Sequence, residues 1–314
     1  MQKPSRRVFL THSAATAGML ALGGQSLLAQ EAAAAKPADM TIARWAGQGT
    51  PRAAELQQIA VKLTEKAIAG LGGLKRFVSR GAVVWIKPNI GWDRAPQYAA
   101  NTNPDVVATL VRLCFEAGAK TVKVGDNTCN RAQATYQKSG IAAAAKAAGA
   151  EVHFLDQSRF RDVAIKGERV KTIPVYPAIL DCDLVINVPI VKHHMLSTST
   201  MCMKNYMGVI DKRNTFHQDI PTCLADLTRY MKPQICVLDA VRILTNHGPM
   251  GGNLGDVLLK TTIAAGVDIV ALDAWGAEVM GHKPTDIGSI VKGQQYGLGR
   301  IDYRSLALRE FSVS

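Results

Sequence analysis

The sequence predicts an α/β fold: a mostly parallel open sheet with helices on both faces, arranged as two intimately packed halves. Two observations predict it. Helical and strand patterns alternate along the chain, the order that helix-covered parallel sheets produce. Polar residues also collect where strands should end, at Lys87 and Asn89, Asp126 and Asn127, Asn187 and Lys192, and Asp239. In open parallel sheets ligands bind beyond those ends, so these distant segments should line one crevice.

Each element has its own signal. Residues 52–78 read as amphipathic helix, with Leu56, Ile59, Ala60, Leu63 and Ala67 at three-and-four spacing. Gly81 opens a strand over 82–86 that ends in Lys87-Pro88-Asn89. A loop leads to Asn103-Pro104-Asp105, where Asn103 suits an N-cap and Pro104 the first helical position; this helix runs to Gly118. A strand over 121–124 ends at Gly125-Asp126, followed by an alanine-rich helix to Gly149 and a strand over 151–155. Residues 158–175 read as short antiparallel strands around Lys166-Gly167-Glu168, and 184–186 as a buried strand. A short helix is expected over 197–206 and a longer one over 221–231, then a strand over 234–239 and a loop from His247 to Gly252. A strand near 257–260, two helices between 267 and 297 and a strand near 306–312 complete the chain.

Residues 1–37 stand apart. Ser5-Arg6-Arg7-Val8-Phe9-Leu10 precedes an apolar, small-residue stretch from Ala14 to about Leu28, the mark of a twin-arginine export signal. Gly18, Gly23, Gly24 and Gln25 interrupt that stretch, which falls short of the roughly 20 apolar residues of a membrane span. Ala29 or the Ala33-Ala34-Ala35 run offers a cleavage site. The expectation is a signal and linker over 1–37, a single α/β domain over 38–314, and a periplasmic or otherwise extracytoplasmic protein. Its partner in transit would be the twin-arginine export machinery, with no stable membrane span after cleavage.

The formal charge of +12 favours anionic partners. Nucleic acid is not expected, because no basic run carries interleaved aromatics and no helix-turn-helix or zinc-finger spacing occurs. The P-loop pattern and G-x-G-x-x-G after a strand are both missing, as is a G-x-S-x-G elbow. Six cysteines, at 114, 129, 182, 202, 223 and 236, include no C-x-x-C pair.

Chemistry concentrates in 187–217, which supplies Asn187, Lys192, His193, His194, Thr200, Lys204, Asn205, Lys212 and His217. On a helix over 197–206, Thr200 and Lys204 would share a face. A hydroxyl, an ammonium and an amide there can hold an oxyanion by charge-assisted hydrogen bonds, with Lys87 and Lys192 on the opposite wall. The expected binding residues are Lys87, Asn89, Asp126, Asn187, Lys192, Thr200, Lys204 and Asn205, with Gly248 and Gly251 as a backbone cradle. His194 and His217 are either proton-transfer groups or ligands to a divalent metal. An iron–sulfur cluster on Cys129, Cys182, Cys202 and Cys223 is the weaker cofactor alternative.

At these residues the chain resembles the family called domain of unknown function 362. Lys87-Pro88-Asn89 looks like its K-x-N after the first strand. Asn187, Pro189, Lys192, His194, Thr200, Lys204-Asn205 and Gly208 look like its N-x-P-x-x-K-x-H…T-x-x-x-K-N-x-x-G segment. Gly248-Pro249 and Gly251 match its G-P-x-G loop, and Asp268 to Gly281 its helix ending in Met-Gly. Some members carry a ferredoxin-type module, and this chain departs from them in lacking clustered cysteines. The expectation is an exported protein whose cationic, histidine-containing pocket binds an anionic small molecule and acts on it. The alternative is a non-catalytic binding or accessory protein.

Overall fold

In the computed structural model, residues 36–314 are described; the twin-arginine motif and the apolar stretch lie outside them. The strands are β1 (Met40–Trp45), β2 (Val83–Pro88), β3 (Thr121–Asp126), β4 (Glu151–Phe154), β5 (Arg161–Ala164) and β6 (Thr172–Val175). They continue with β7 (Leu184–Val188), β8 (Ile190–His194), β9 (Thr198–Thr200), β10 (Ile235–Leu244), β11 (Val257–Gly266) and β12 (Leu308–Val313). Ten of them form one sheet ordered β12-β1-β11-β10-β7-β2-β3-β4, with β8 attached to β10 and β9 to β8; β5 and β6 pair separately. From β10 to β4 every pairing is parallel, so the sheet is mostly parallel as the alternating pattern requires. The first half of the chain supplies β2, β3 and β4, while β1 crosses over to lie between β11 and β12.

The helices are α1 (Ala53–Gly70), α2 (Pro104–Glu116), α3 (Ala132–Lys138), α4 (Ile141–Ala147), α5 (Pro177–Leu180), α6 (Cys202–Asn205), α7 (Ile220–Met231), α8 (Ile269–Val279) and α9 (Gly288–Gln295). Strand side chains alternate between faces, so each face of the sheet carries its own core. Val84 and Ile86 of β2 join Val122, Val124, Leu184 and Ile186 under α1, α2 and α4. Trp85, between them in sequence, packs on the other face with Leu238, Leu224, Leu227, Leu272 and Trp275, beneath α7 and α8. Asn103 caps α2 as its position suggested, its side chain accepting from Asp105 N at 2.8 Å.

The structure departs from the sequence-based expectations at four places. Strand β1, directly after Pro37-Ala38-Asp39, was not anticipated. The first helix ends at Gly70 and not near 78, because Gly72 and Gly73 take φ of 94° and 78°. The alanine-rich helix is two helices, α3 and α4, divided at Gly140 with φ 74°. The fourth is a correction that concerns the site. Residues 198–200 are not helical: Thr200 pairs with Lys192 across β8 and β9. The helix starts only at Cys202, where the Asp273 carboxylate accepts from the amides of Cys202 and Met203. Thr200 and Lys204 therefore come from a strand and a helix, not from one helical face.

Candidate functional site

Strand β2 has β3 on one side and β7 on the other, and the chain visits β3 first and β7 much later. Strand order therefore reverses at β2, and the crevice beyond such a point is where doubly wound sheets bind ligands. A cavity of about 370 Å³ lies there, within the range of small-molecule sites. Its walls include Lys87 and Asn89 at the end of β2, Asp126 and Cys129 at the end of β3, Lys192 and His194 on β8, and Thr200 on β9. Lys204 and Asn205 of α6, then Arg213 and His217 from a 3₁₀ turn, close it.

At its base is a buried ion pair. Lys87 Nζ lies 2.8 Å from Asp126 Oδ1 and donates to Asn205 Oδ1 at 2.9 Å. The other carboxylate oxygen accepts from Ile90 N at 2.7 Å. Burial lowers the Lys87 pKa while Asp126 raises it, and the net shift is downward. Gly208 lies directly against this pair: a Cβ there would overlap Asp126 Oδ1 and crowd Lys87 Nζ. That contact, not backbone freedom, explains the glycine three residues after Asn205.

Asn205 is the hub of the base. Its amide donates to Lys87 O at 3.1 Å and to Asn187 Oδ1 at 2.8 Å, and its carbonyl accepts from Lys87 and from Asn89 Nδ2 at 3.2 Å. Asn187 in turn donates to Cys202 O at 2.9 Å. Asn187 is fully buried, and its contacts hold Asn205 in place and do not reach the cavity.

Above this neutralised base lie three further cations. Lys192 Nζ donates to Asn89 Oδ1, Ala100 O and Pro249 O, at 3.0, 2.6 and 3.2 Å. All three acceptors are neutral, and burial pulls the Lys192 pKa down to about 7. Half-buried Lys204 donates to Met207 Sδ at 3.3 Å, and burial lowers it to about 8. Arg213 donates to the carbonyls of Asn127 and Thr128, at 3.0 and 2.8 Å. Among the described residues none of the three forms an ion pair, and the one carboxylate lining the cavity, Asp126, is committed to Lys87. The wall thus carries positive charge without a counter-charge from the protein.

His194 responds to that field. Burial, then Lys204 and Lys192, push its pKa down to about 3, so the imidazole is neutral at physiological pH. Its Nδ1 accepts from Leu196 N at 3.2 Å, which leaves the proton on Nε2. In this arrangement His194 is a hydrogen-bond donor and not a base. His217 is exposed at the rim. The two histidines have no third donor: among the described residues no group of three or more His, Cys, Asp or Glu is placed to hold a metal ion. The surrounding cations also oppose a dication, so the residues present do not fit a divalent metal. Nor do the four cysteines converge on a cluster: Cys129 lines this cavity, Cys223 a separate groove, and Cys182 and Cys202 are buried in the core.

The glycine loop differs from the expected cradle. Gly248 N donates to His193 Nδ1 at 3.0 Å and Gly251 N to His247 O at 3.1 Å. Both amides are engaged, neither glycine lines the cavity, and the loop presents the Pro249 carbonyl to Lys192 instead. Lys212 faces a different groove, alongside Arg169 and Asp219. Arg213 and Cys129 were not anticipated as parts of the anion pocket. Thr200 lines the cavity with a buried hydroxyl that has no hydrogen-bond partner among the described residues. Trp92, Met195, Leu196 and Met207 supply the apolar part of the lining, Met207 directly beside Lys204, and Met195 and Leu196 are 80% and 61% exposed.

Comparison with known proteins adds a family. The model described as domain of unknown function (DUF362) matches residues 84–278, a span that contains the base of the cavity and all three unpaired cations. A thylakoid-associated protein of Synechocystis sp. is 26% identical over 237 residues, covering 73% of this chain and 72% of that one.

Proposed function

The chain belongs to the domain of unknown function (DUF362) family, and we propose that it binds an anionic small molecule at the strand ends and acts on it. The observation that carries this reading is the trio of Lys192, Lys204 and Arg213, which line one cavity without an acidic partner among the described residues. Desolvated cations are costly to keep, and an anionic ligand supplies the missing counter-charge. The Thr200 hydroxyl and His194 Nε2–H add neutral donors to the same ligand. The apolar wall of Trp92, Met195, Leu196 and Met207 suits an organic group attached to the anion. Lys87, Asp126 and Asn205 form the floor of the site, and Asn187 behind them holds Asn205.

Binding of an arylsulfonate and of sulfate, followed by calorimetry, tests this. Both should bind one to one and compete, with the arylsulfonate tighter by about tenfold, as about 1.4 kcal/mol of apolar burial would give. Equal affinities would remove the organic group from the ligand; no binding of either would remove the reading.

We further propose that the protein works outside the cytoplasm, on the strength of Arg6-Arg7 and the apolar stretch that follows. Among the described residues no helix is long and apolar enough to cross a membrane. Replacing Arg6 and Arg7 with lysine should leave the uncleaved protein in the cytoplasm of the exporting cell. Unchanged export of that variant would reject the route.

A further inference from the structure

Cys129 stands apart from the other cysteines. It is exposed at the cavity wall, whereas Cys114, Cys182, Cys202, Cys223 and Cys236 are buried. Its position is set on both sides. Its backbone amide donates to Gly91 O at 2.8 Å, and Arg213 donates from Nη1 to its Sγ at 3.5 Å and from Nη2 to the carbonyl just before it. A thiol alone would say little. In the same cavity, however, Thr200 is 4% exposed and its hydroxyl is left without a partner among the described residues. A buried, unpaired donor facing a cavity marks where a ligand atom belongs.

From these observations we infer that Cys129 is a nucleophile of this site, directed at anions that carry an electrophilic carbon next to the anionic group. The inference rests on the anion-binding reading above. Arg213 is the link between the two, since one guanidinium touches the thiol and lines the anion cavity. With the anion held by Lys204 and Arg213 and its acceptor atom met by Thr200, the carbon beside it is presented to Sγ. For an alkylating anion the step balances simply. Sulfur attacks the methylene carbon, the C–S bond forms as the carbon–halide bond breaks, the halide leaves with the bonding pair, and the thiol proton passes to solvent.

Iodoacetate and iodoacetamide test this on the intact protein, because they share the reacting carbon and differ in charge. Rate constants for modification at Cys129, located by peptide mass spectrometry, should favour iodoacetate by about tenfold or more, the lower end of the enhancement a focused field gives. The iodoacetate rate should saturate with concentration and fall when sulfate is added. Arg213→Met should remove the preference while leaving iodoacetamide reactive, and Cys129→Ser should abolish modification. Equal rates, or a preference for iodoacetamide, would overturn the inference. Sulfate binding by calorimetry separates the two failures: retained binding with no iodoacetate preference rejects Cys129 alone, and absence of both rejects the anion cavity as well.

Discussion

Lys87→Met should destabilise the protein by about 3–5 kcal/mol, the cost of leaving one member of a buried ion pair without its partner. Asp126 would keep its bond from Ile90 N but lose the ammonium 2.8 Å away. Asn205 would lose one of the two donors to its carbonyl. The test is a thermodynamic cycle in urea. Lys87→Met and Asp126→Asn should each be severe, and the double variant markedly better than their sum, since it buries no uncompensated charge and keeps an acceptor for Ile90 N. Additive losses would mean that the pair is not the unit holding the base of the cavity. The outcome bears on function because Asn205, fixed by Lys87, sits next to Lys204 on the same short helix.

The second large effect separates stability from binding. Replacing Lys204 and Arg213 together with methionine should weaken sulfate or arylsulfonate binding by about 100-fold or more, since each charged hydrogen bond contributes about 1.5–3 kcal/mol. Lys204→Met alone should leave the ligand-free protein as stable or more so, because Lys204 is a desolvated ammonium without an acidic partner among the described residues, whereas Arg213 also holds the Asn127 and Thr128 carbonyls. Loss of binding together with a gain in melting temperature is the signature of a cation kept for a ligand. A structural cation would lose both. Binding that survives the double replacement would place the anion elsewhere.

Much of this site was legible before its geometry. Lys87, Asp126, Lys192, His194 and Lys204 all follow strands or lie in the dense 187–217 stretch, and strand ends converge on one side of a parallel sheet whatever the intervening sequence. Their division of labour was not legible. Asn187 and Asn205 look alike to Asn89 in sequence, yet Asn187 is consumed by Asn205 and Cys202 and never reaches the ligand space. Thr200 reads as part of a helix because it precedes Lys204 by four. Whether that segment is strand or helix is decided by two distant partners, Lys192 across the β8–β9 pairing and Asp273 at the helix start. The glycine loop shows the limit of pattern most plainly. G-P-x-G composition is compatible with amides that converge on an anion, but here those amides are spent on His193 and His247. Arg213 depends on a loop fold that carries it back over the end of β3, which no local periodicity reports.

Lys192 and Lys204 also tie the cavity to pH. In the unfolded chain a lysine titrates near 10.4, whereas burial lowers these two to about 7 and about 8. Between the folded and unfolded values the unfolded chain holds the extra protons, so the stability of the ligand-free protein should rise with pH across that window. An anion favours the charged lysines and should act in the opposite sense, binding best at the acidic end. The most direct measurement is calorimetric titration with an arylsulfonate at pH 8, in two buffers of different ionisation enthalpy, repeated at pH 6. The account predicts one-to-one binding that takes up protons at pH 8, takes up almost none at pH 6, and is tighter at pH 6. Binding without proton uptake at pH 8, or affinity that increases with pH, would contradict it.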